Sequence, residues 1–313
     1  MNNRLTVSSS PHFRSPRTTG SIMLDVIIAL LPAACAGVVL FGIRALFVMS
    51  TCVAAAVITE FVFNLLARKK QTLGDLTAVV TGLLLALNLR ADAPLWQCAL
   101  GAVFAILVVK CLFGGLGCNF ANPAITGRIF MMLCFASAIG GGVAPVFGKE
   151  SAELVTTVTP LATIAKGGEL PSLLDMFLGL HGGAIGETCT AALLVGFIYL
   201  VARKVINFEV PVIFVGTVFV LALIVDNSFT AALYQVLSGG LVLGAVFMAT
   251  DYVTTPITRS GKMVFAFGCG LVTFLIRYFG SYPEGVSFAI LFMNILSPYI
   301  EKWTAKRALG GAK

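Results

Sequence analysis

Residues 22–42 read IMLDVIIALLPAACAGVVLFG, and residues 45–67 read ALFVMSTCVAAAVITEFVFNLLA. Each stretch is long and apolar enough to cross a bilayer core of ~30 Å as a helix, which takes about 20 residues. The whole chain is 58% hydrophobic and only 11% charged, with a mean hydropathy of +0.98. A soluble domain carries about 25% charged residues, so the composition predicts a helical membrane protein and excludes a soluble globular one.

Eight further stretches repeat this pattern, although several are short or interrupted by glycine and proline. The ten predicted spans lie near 22–42, 45–67, 74–90, 95–113, 122–140, 185–203, 209–226, 233–250, 262–279 and 283–300. We therefore expect an all-α polytopic membrane protein with about ten transmembrane helices, some of them broken. Outside the spans lie a polar tail at 1–21, which lacks a signal-peptide cleavage motif, a polar loop at 141–184 and a basic tail at 301–313.

The distribution of lysine and arginine predicts the orientation of the spans. With the amino terminus inside, sixteen of these residues fall on inner segments, Lys110 and Arg128 among them, and five fall on outer segments, including Arg277. Because loops on the cytoplasmic side carry an excess of positive charge, we expect a multi-pass protein of the bacterial inner membrane with both termini cytoplasmic and the 141–184 loop outside. The net charge of +7 suits an anionic inner leaflet and gives no reason to propose nucleic acid.

Two pairs of short motifs predict an internal repeat. LGDLT at 73–77 is echoed by IGET at 185–188, and NPAITGR at 122–128 is echoed by TPITR at 255–259. They predict two related halves, 22–140 and 185–300, with five spans each and opposite topology, as in many transporters. Because proline is tolerated at the first helical position, Asn122-Pro123 and Thr255-Pro256 are expected to start broken helices.

Three acidic residues, Asp75, Glu187 and Asp251, lie at membrane ends of predicted spans. Acids are rare in lipid and mark functional sites, but an acid can also cap a helix for ~0.3–1 kcal/mol. For Asp251 an ion pair with Arg259 and Lys262 is the favoured explanation. The eight cysteines form no CxxC pair and are expected to pack as small apolar residues, and the chain is expected to ligate no metal by itself.

Three long motifs connect the chain to a known family. They are GGLGCNFANPA at 114–124, FMATDYVTTPITR at 247–259 and YFGSYPEGVSFAIL at 278–291, and SPH at 10–12 accompanies them. Together they resemble RnfD, the D subunit of the Rnf electron-transport complex, along nearly the whole chain. The homologous B subunit of the sodium-pumping quinone reductase shares several motifs but is longer at its amino terminus, so a 313-residue chain with a short polar lead is more similar to the Rnf protein.

The resemblance implies a role for the polar loop. In this family a threonine in a pattern like Asp-Gly-x-Ser/Thr-Gly-Ala-Thr carries FMN through a phosphoester bond. The run ELVTTVT places that acceptor at Thr159, and it departs from the pattern with Glu153 for aspartate, Thr157 for glycine and Val158 for alanine. Thr156 and Thr157 offer hydroxyls close by, and without the resemblance an ordinary Ser/Thr-rich loop is the alternative.

The resemblance also implies a second, non-covalent flavin such as riboflavin, as in the quinone reductase. The glycine-rich run at 182–188 would let a flat ring approach the backbone closely. The candidate residues for this second flavin, or for an ion, are Gly183, Glu187, Thr188, Asn122 and Asp251.

By resemblance, the chain is expected to be a membrane subunit of an ion-translocating ferredoxin:NAD+ oxidoreductase. It would relay electrons through covalent FMN, coupled to Na+ or H+ movement, and would not be a complete enzyme alone. Its implied partners are the other Rnf subunits (A, B, C, E and G, above all G and the A/E pair), membrane lipid, and a flavin transferase that installs FMN. The alternatives are the B subunit of the quinone reductase, and a flavin-free channel or transporter on the same repeat, which leaves the run ending at Thr159 unexplained.

Overall fold

The structure is a computed structural model of the 313-residue chain. It describes residues 17–136, 140–146, 154–166, 168, 170–280 and 284–305. Within these ranges the protein consists of helices joined by short turns, with one two-stranded sheet. The predicted all-α class is confirmed. Glu153 of the predicted flavin motif lies outside the described residues.

Five helices form the first part of the chain: α1 Thr19–Phe41, α2 Ile43–Leu66, α3 Thr77–Leu87, α4 Leu95–Cys111 and α5 Pro123–Cys134. A single 3-10 turn, Leu73–Asp75, precedes α3. The last seven residues of α4, Ala105–Cys111, are wound as a π-helix. Such π segments are rare and widen the turn locally, which changes the direction of the side chains they carry.

The polar loop and the second part of the chain follow. The elements are β1 Gly142–Val143, β2 Thr156–Thr157, α6 Pro160–Lys166, α7 Leu173–Leu178, α8 Thr190–Ala202, α9 Glu209–Asp226, α10 Phe229–Leu237, α11 Leu241–Met248, α12 Arg259–Phe279 and α13 Val286–Thr304. Helix α11 also ends in a π-helix, Gly244–Met248.

Each of the ten predicted spans overlaps a helix or helix pair. Four helices, α1, α2, α9 and α12, are long and apolar enough to cross a membrane, and the pair α10–α11, bent by 64°, counts as a fifth span if taken together. Helices α3, α4, α5 and α8 are apolar but shorter. The polytopic architecture is confirmed, whereas the total of ten spans and the inverted halves stay predictions.

The helix starts agree with the sequence in one of the two expected places. Asn122 caps α5 by accepting a hydrogen bond from Ala124 N at 3.0 Å, with Pro123 at the first helical position. The expectation for Thr255-Pro256 was wrong, because α12 begins later, at Arg259. The Thr255 hydroxyl instead bonds the main-chain oxygen of Asp251 and closes a turn ahead of the helix.

The described segments of the polar loop lie at the end of the molecule opposite to both ends of the described chain. At one end, Arg17 donates to Arg203 O at 2.8 Å, and the hydroxyls of Thr258 and Thr304 are 2.6 Å apart. Helix α1 runs from that end to the other, where Leu40 O accepts from Val146 N at 2.7 Å. The described loop segments therefore lie at the end of the molecule away from Arg17 and Thr304.

Small residues bring the helices close together. A Cβ added at Gly82 of α3 would lie 2.8 Å from Val53 Cα and 2.9 Å from Cys52 O of α2. Contacts this close to backbone require a shift of the helix. Since lipid tails are as apolar as the helices, such close packing is a main source of helix association in a membrane.

A buried ion pair joins α4 to α2 and α3. Lys110, placed by the π segment of α4, contacts both carboxylate oxygens of Glu60 on α2 at 2.9 and 2.8 Å and the Thr77 hydroxyl of α3 at 2.6 Å. Lys110 and Glu60 are each 3% exposed. The three ammonium hydrogens thus have three acceptors. Lys110, counted from the sequence among the inner-segment charges, is therefore a buried charge between helices.

We expect Gly82→Ala to destabilise the protein by about 1–3 kcal/mol, the usual cost of an overpacked contact. Gly216 in α9 is the matched control, because a Cβ added there meets no atom within 4 Å. Thermal unfolding of the detergent-purified proteins measures both. Equal melting temperatures for Gly82→Ala and Gly216→Ala would contradict the packing argument.

Breaking the Lys110–Glu60 pair should cost more than removing it. Lys110→Met or Glu60→Leu alone leaves one buried charge unpaired and is expected to cost about 3–5 kcal/mol, whereas the double variant should recover most of that stability. The same unfolding measurement decides the question. A double variant as unstable as the two single variants would show that the ion pair itself, and not the uncompensated charge, determines stability.

Candidate functional site

A small sheet places the threonine run against the glycine-rich segment. Gly142 pairs with Thr157 and Val143 with Thr156 in antiparallel register, and Val143 also forms a bridge with Gly183. A Cβ added at Gly182 would lie 2.2 Å from the Thr157 hydroxyl oxygen. A side chain at that position would therefore displace the Thr157 hydroxyl.

The three candidate acceptor threonines occupy different surroundings. Thr156 is exposed, and the Thr157 hydroxyl is buried without a hydrogen-bond partner among the described residues. Thr159 is half-buried, and its hydroxyl accepts a hydrogen bond from Ala162 N at 3.4 Å, as a residue that caps a helix does. Of the three, Thr159 lines the cavity described next.

A cavity of about 170 Å³ lies beneath the loop, and we call it the loop-side cavity. Its walls bring together Thr159, Gly183 and Glu187, three of the residues singled out from the sequence. Thr188, fully buried, is adjacent, since a Cβ on Gly183 would meet its methyl group at 2.8 Å. Two of its lining residues, Gly140 and Gly141, are exposed.

A buried arginine forms the floor of the loop-side cavity. Arg128 of α5 is 2% exposed, and its Nη2 donates to Glu187 Oε1 at 2.7 Å and to a carboxylate oxygen of Glu284. Its Nη1 donates to the Asn88 side chain. The Arg128 Nε is buried without a partner within the described residues, so one donor of the guanidinium stays unused.

The bent pair α10–α11 completes the cluster. Gly240, at the break, donates its main-chain N–H to Glu284 Oε1 at 3.0 Å. A Cβ there would lie 2.8 Å from Glu284 Oε1, 3.0 Å from Glu187 Oε1 and 3.2 Å from Arg128 Nη1. Glycine at the break is therefore needed for the backbone to reach the carboxylates.

Two further ionisable residues adjoin the cavity. Arg277 of α12 donates to the main-chain oxygens of Glu284, Gln235 and Ser238. His181 lines the cavity, and its Nδ1 lies 3.1 Å from Gly182 O. Burial lowers the pKa of the His181 imidazole, so the ring is uncharged at neutral pH.

Asn122 and Asp251 are not part of this site. They line a second cavity of about 100 Å³, nearer the other end of the molecule, together with Lys110 and Tyr252. The ion pair expected for Asp251 was wrong, because Arg259 pairs with Glu209 at the start of α9. Asp251 instead accepts hydrogen bonds within its own turn, from the Thr254 hydroxyl at 3.0 Å and Val253 N at 3.5 Å.

The sequence reasoning missed Arg128, Glu284 and Asn88. Arg128 was counted among the charges of the inner segments, and Glu284 stood within a family motif without a role. The signal was available, since an ionisable residue within a predicted span marks a site that needs a partner. The sequence did not identify the partners of Arg128, because Glu187 and Glu284 lie 59 and 156 residues away along the chain.

The comparisons with known proteins agree with these motifs. A model of the NQR2, RnfD, RnfE family matches residues 6–310. The chain is 45% identical over 313 residues to the D subunit of the Na(+)-translocating ferredoxin:NAD(+) oxidoreductase complex of Acetobacterium woodii, with 99% of this chain and 96% of that protein covered. It is 42% identical to the D subunit of the proton-translocating ferredoxin:NAD(+) oxidoreductase complex of Clostridium ljungdahlii, with 96% and 95% covered.

A third relative is the D subunit of the ion-translocating oxidoreductase complex of Stutzerimonas stutzeri, which is 37% identical over 323 residues, with 92% of this chain and 91% of that protein covered. These similarities extend over nearly the full length of each protein. The resemblance inferred from the motifs is confirmed, and the chain belongs to the NQR2, RnfD, RnfE family.

Proposed function

We propose that this chain is the D subunit of an ion-translocating ferredoxin:NAD+ oxidoreductase complex and that it relays electrons through FMN esterified to Thr159. The similarity to relatives that bear that name, over nearly their full length, supports the first part. The observation that carries the second part is that Thr159 and the Arg128 cluster line one cavity. In this assignment the chain works only with the other subunits of the complex.

The residues of the loop-side cavity fit a flavin phosphoester. The acceptor hydroxyl is half-buried at the edge of the cavity, where the phosphate charge can stay in water. The Nε of Arg128 has no hydrogen-bond partner among the described residues, so it would offer a donor to a polar edge of the ring. Gly182 and Gly183 leave the opposite wall without side chains.

A bound flavin would supply one- or two-electron transfer, and the protein supplies its position and electrostatic surroundings. Thr159 would act as the tether that keeps the ring at high local concentration. Arg128, anchored by Asn88 and two carboxylates, would hold a fixed positive charge beside it. The glycine wall and the helices would limit the access of water.

The outer location of the loop and a second flavin belong to the same proposal. Placement of the loop opposite to the termini fits cytoplasmic termini and an outward flavin. A non-covalent flavin such as riboflavin would occupy the second cavity, which Asn122 and Asp251 line. The relatives carry names for both Na+ and proton translocation, so the coupled ion is left open.

The alternative of a flavin-free transporter is disfavoured by the same cavity. A transporter explains the bent helices, but it gives no reason for a threonine run to lie over a buried arginine. The B subunit of the quinone reductase belongs to the same family, and co-purifying proteins distinguish it from the Rnf subunit.

The covalent flavin is tested by in-gel fluorescence of the denatured chain after co-expression with a flavin transferase. We expect a fluorescent band for the natural sequence and complete loss of it in Thr159→Asn. Asparagine keeps an acceptor that caps α6, so loss of the band would report the missing hydroxyl and not a damaged helix.

Thr156→Ala and Thr157→Ala are the matched controls, and both should keep the band. Fluorescence that survives in Thr159→Asn and disappears in one control would move the acceptor to that threonine. Absence of fluorescence in all forms, with the transferase active on another substrate, would contradict the flavin assignment.

A further inference from the structure

The Arg128 cluster holds two carboxylates on a single nitrogen. Arg128 Nη2 donates to both Glu187 and Glu284, and all three side chains line the loop-side cavity. Their relative exposures, 3% for the Arg128 side chain, 8% for Glu187 and 19% for Glu284, place them in a low-dielectric region. Burying two carboxylates against one donor nitrogen does little to stabilise the fold, because desolvating each charge costs free energy.

The two carboxylates are not equivalent. Glu284 receives hydrogen bonds on both oxygens, from Arg128 and from the Gly240 N–H. Glu187 receives one hydrogen bond from Arg128, on Oε1, and its side chain contacts that of Glu284. A hydrogen bond to a carboxylate favours its charged form, so Glu187 is the more easily protonated member.

We propose that Glu187 is a redox-linked proton site. Its carboxylate takes up one proton from water at the loop end when an electron arrives on the group held in the cavity, and it releases that proton when the electron leaves. The step forms one O–H bond on the carboxylate and breaks one in the hydrated proton. The inference rests on the proposed function, since the electron comes from a reduced flavin or iron–sulfur protein of the same complex and is carried by the flavin on Thr159.

The charges of the cluster explain why a proton should follow the electron. Arg128, Arg277, Glu187 and Glu284 sum to zero when both acids are ionised. Arg277 bonds main-chain oxygens and forms no ion pair with either carboxylate within the described residues. An added electron leaves one unbalanced negative charge where water cannot screen it, and protonation of one carboxylate restores neutrality.

Other groups at the cavity are less suited to the proton. His181 also lines the cavity, but burial lowers the pKa of its imidazole and disfavours the charged ring. Glu284 would have to give up the charge that two hydrogen bonds stabilise. Glu187 lines the same cavity as Gly140 and Gly141, which are exposed at the loop end.

The test is a redox-difference infrared spectrum of the purified complex that contains the full chain. Reduction should produce a protonated-carboxyl band that shifts in D2O. We expect this band to be lost in Glu187→Gln and kept in His181→Asn. Glu209→Gln is the matched control, because Glu209 is also paired with an arginine, Arg259, but at the other end of the molecule.

The outcomes separate the two proposals. A band that persists in Glu187→Gln, or that disappears in Glu209→Gln, overturns the proton site. If the denatured chain still shows covalent flavin fluorescence in that case, the flavin assignment stands. If the chain shows no covalent flavin fluorescence and the complex shows no loss of flavin absorbance on reduction, both the flavin assignment and the proton site are overturned. If Glu187→Gln does not assemble, Glu187→Asp is used: it keeps a carboxyl group in a shifted position, so the band must change frequency, and an unshifted band overturns the proposal.

Discussion

A guanidinium buried within a membrane must find all its partners inside the protein, because lipid offers none. Arg128 meets this constraint at its two terminal nitrogens, with Asn88, which follows α3, and with Glu187 and Glu284, which come from the second part of the chain. The cluster therefore ties the two predicted halves together at one point. It also limits what can surround it, since Gly240 leaves room for no side chain.

The unusual backbone features of the second half follow from this cluster. The pair α10–α11 bends by 64°, and the break brings the Gly240 N–H to Glu284. A straight helix would have used that N–H internally. Across the cavity, the bridge between Val143 and Gly183 holds the loop so that Thr159 faces the same space. The Arg128 cluster and the loop that the small sheet holds in place therefore contribute to the same cavity.

The sequence predicted the helices well because hydrophobic length is a local property, and all ten predicted spans overlap observed helices. It also singled out Thr159, Gly183 and Glu187, which the structure brings together. It failed where the answer depends on distant partners. Counting Arg128 among the inner-segment charges applies a rule about loops, and only its contacts across the chain show that it is buried. Proline at 256 likewise suggested a helix start that the turn at Asp251 displaces.

Two buried cations in this protein have different consequences. Lys110 donates its three ammonium hydrogens to Glu60 and Thr77, so no ammonium hydrogen is free to bind a ligand. The ion pair therefore serves to hold α2, α3 and α4 together. Arg128 is equally buried, yet its Nε has no hydrogen-bond partner among the described residues. A planar guanidinium has five donors, and a donor left unsatisfied in a buried site costs free energy. A group bound in the loop-side cavity, as proposed above, would complete the set.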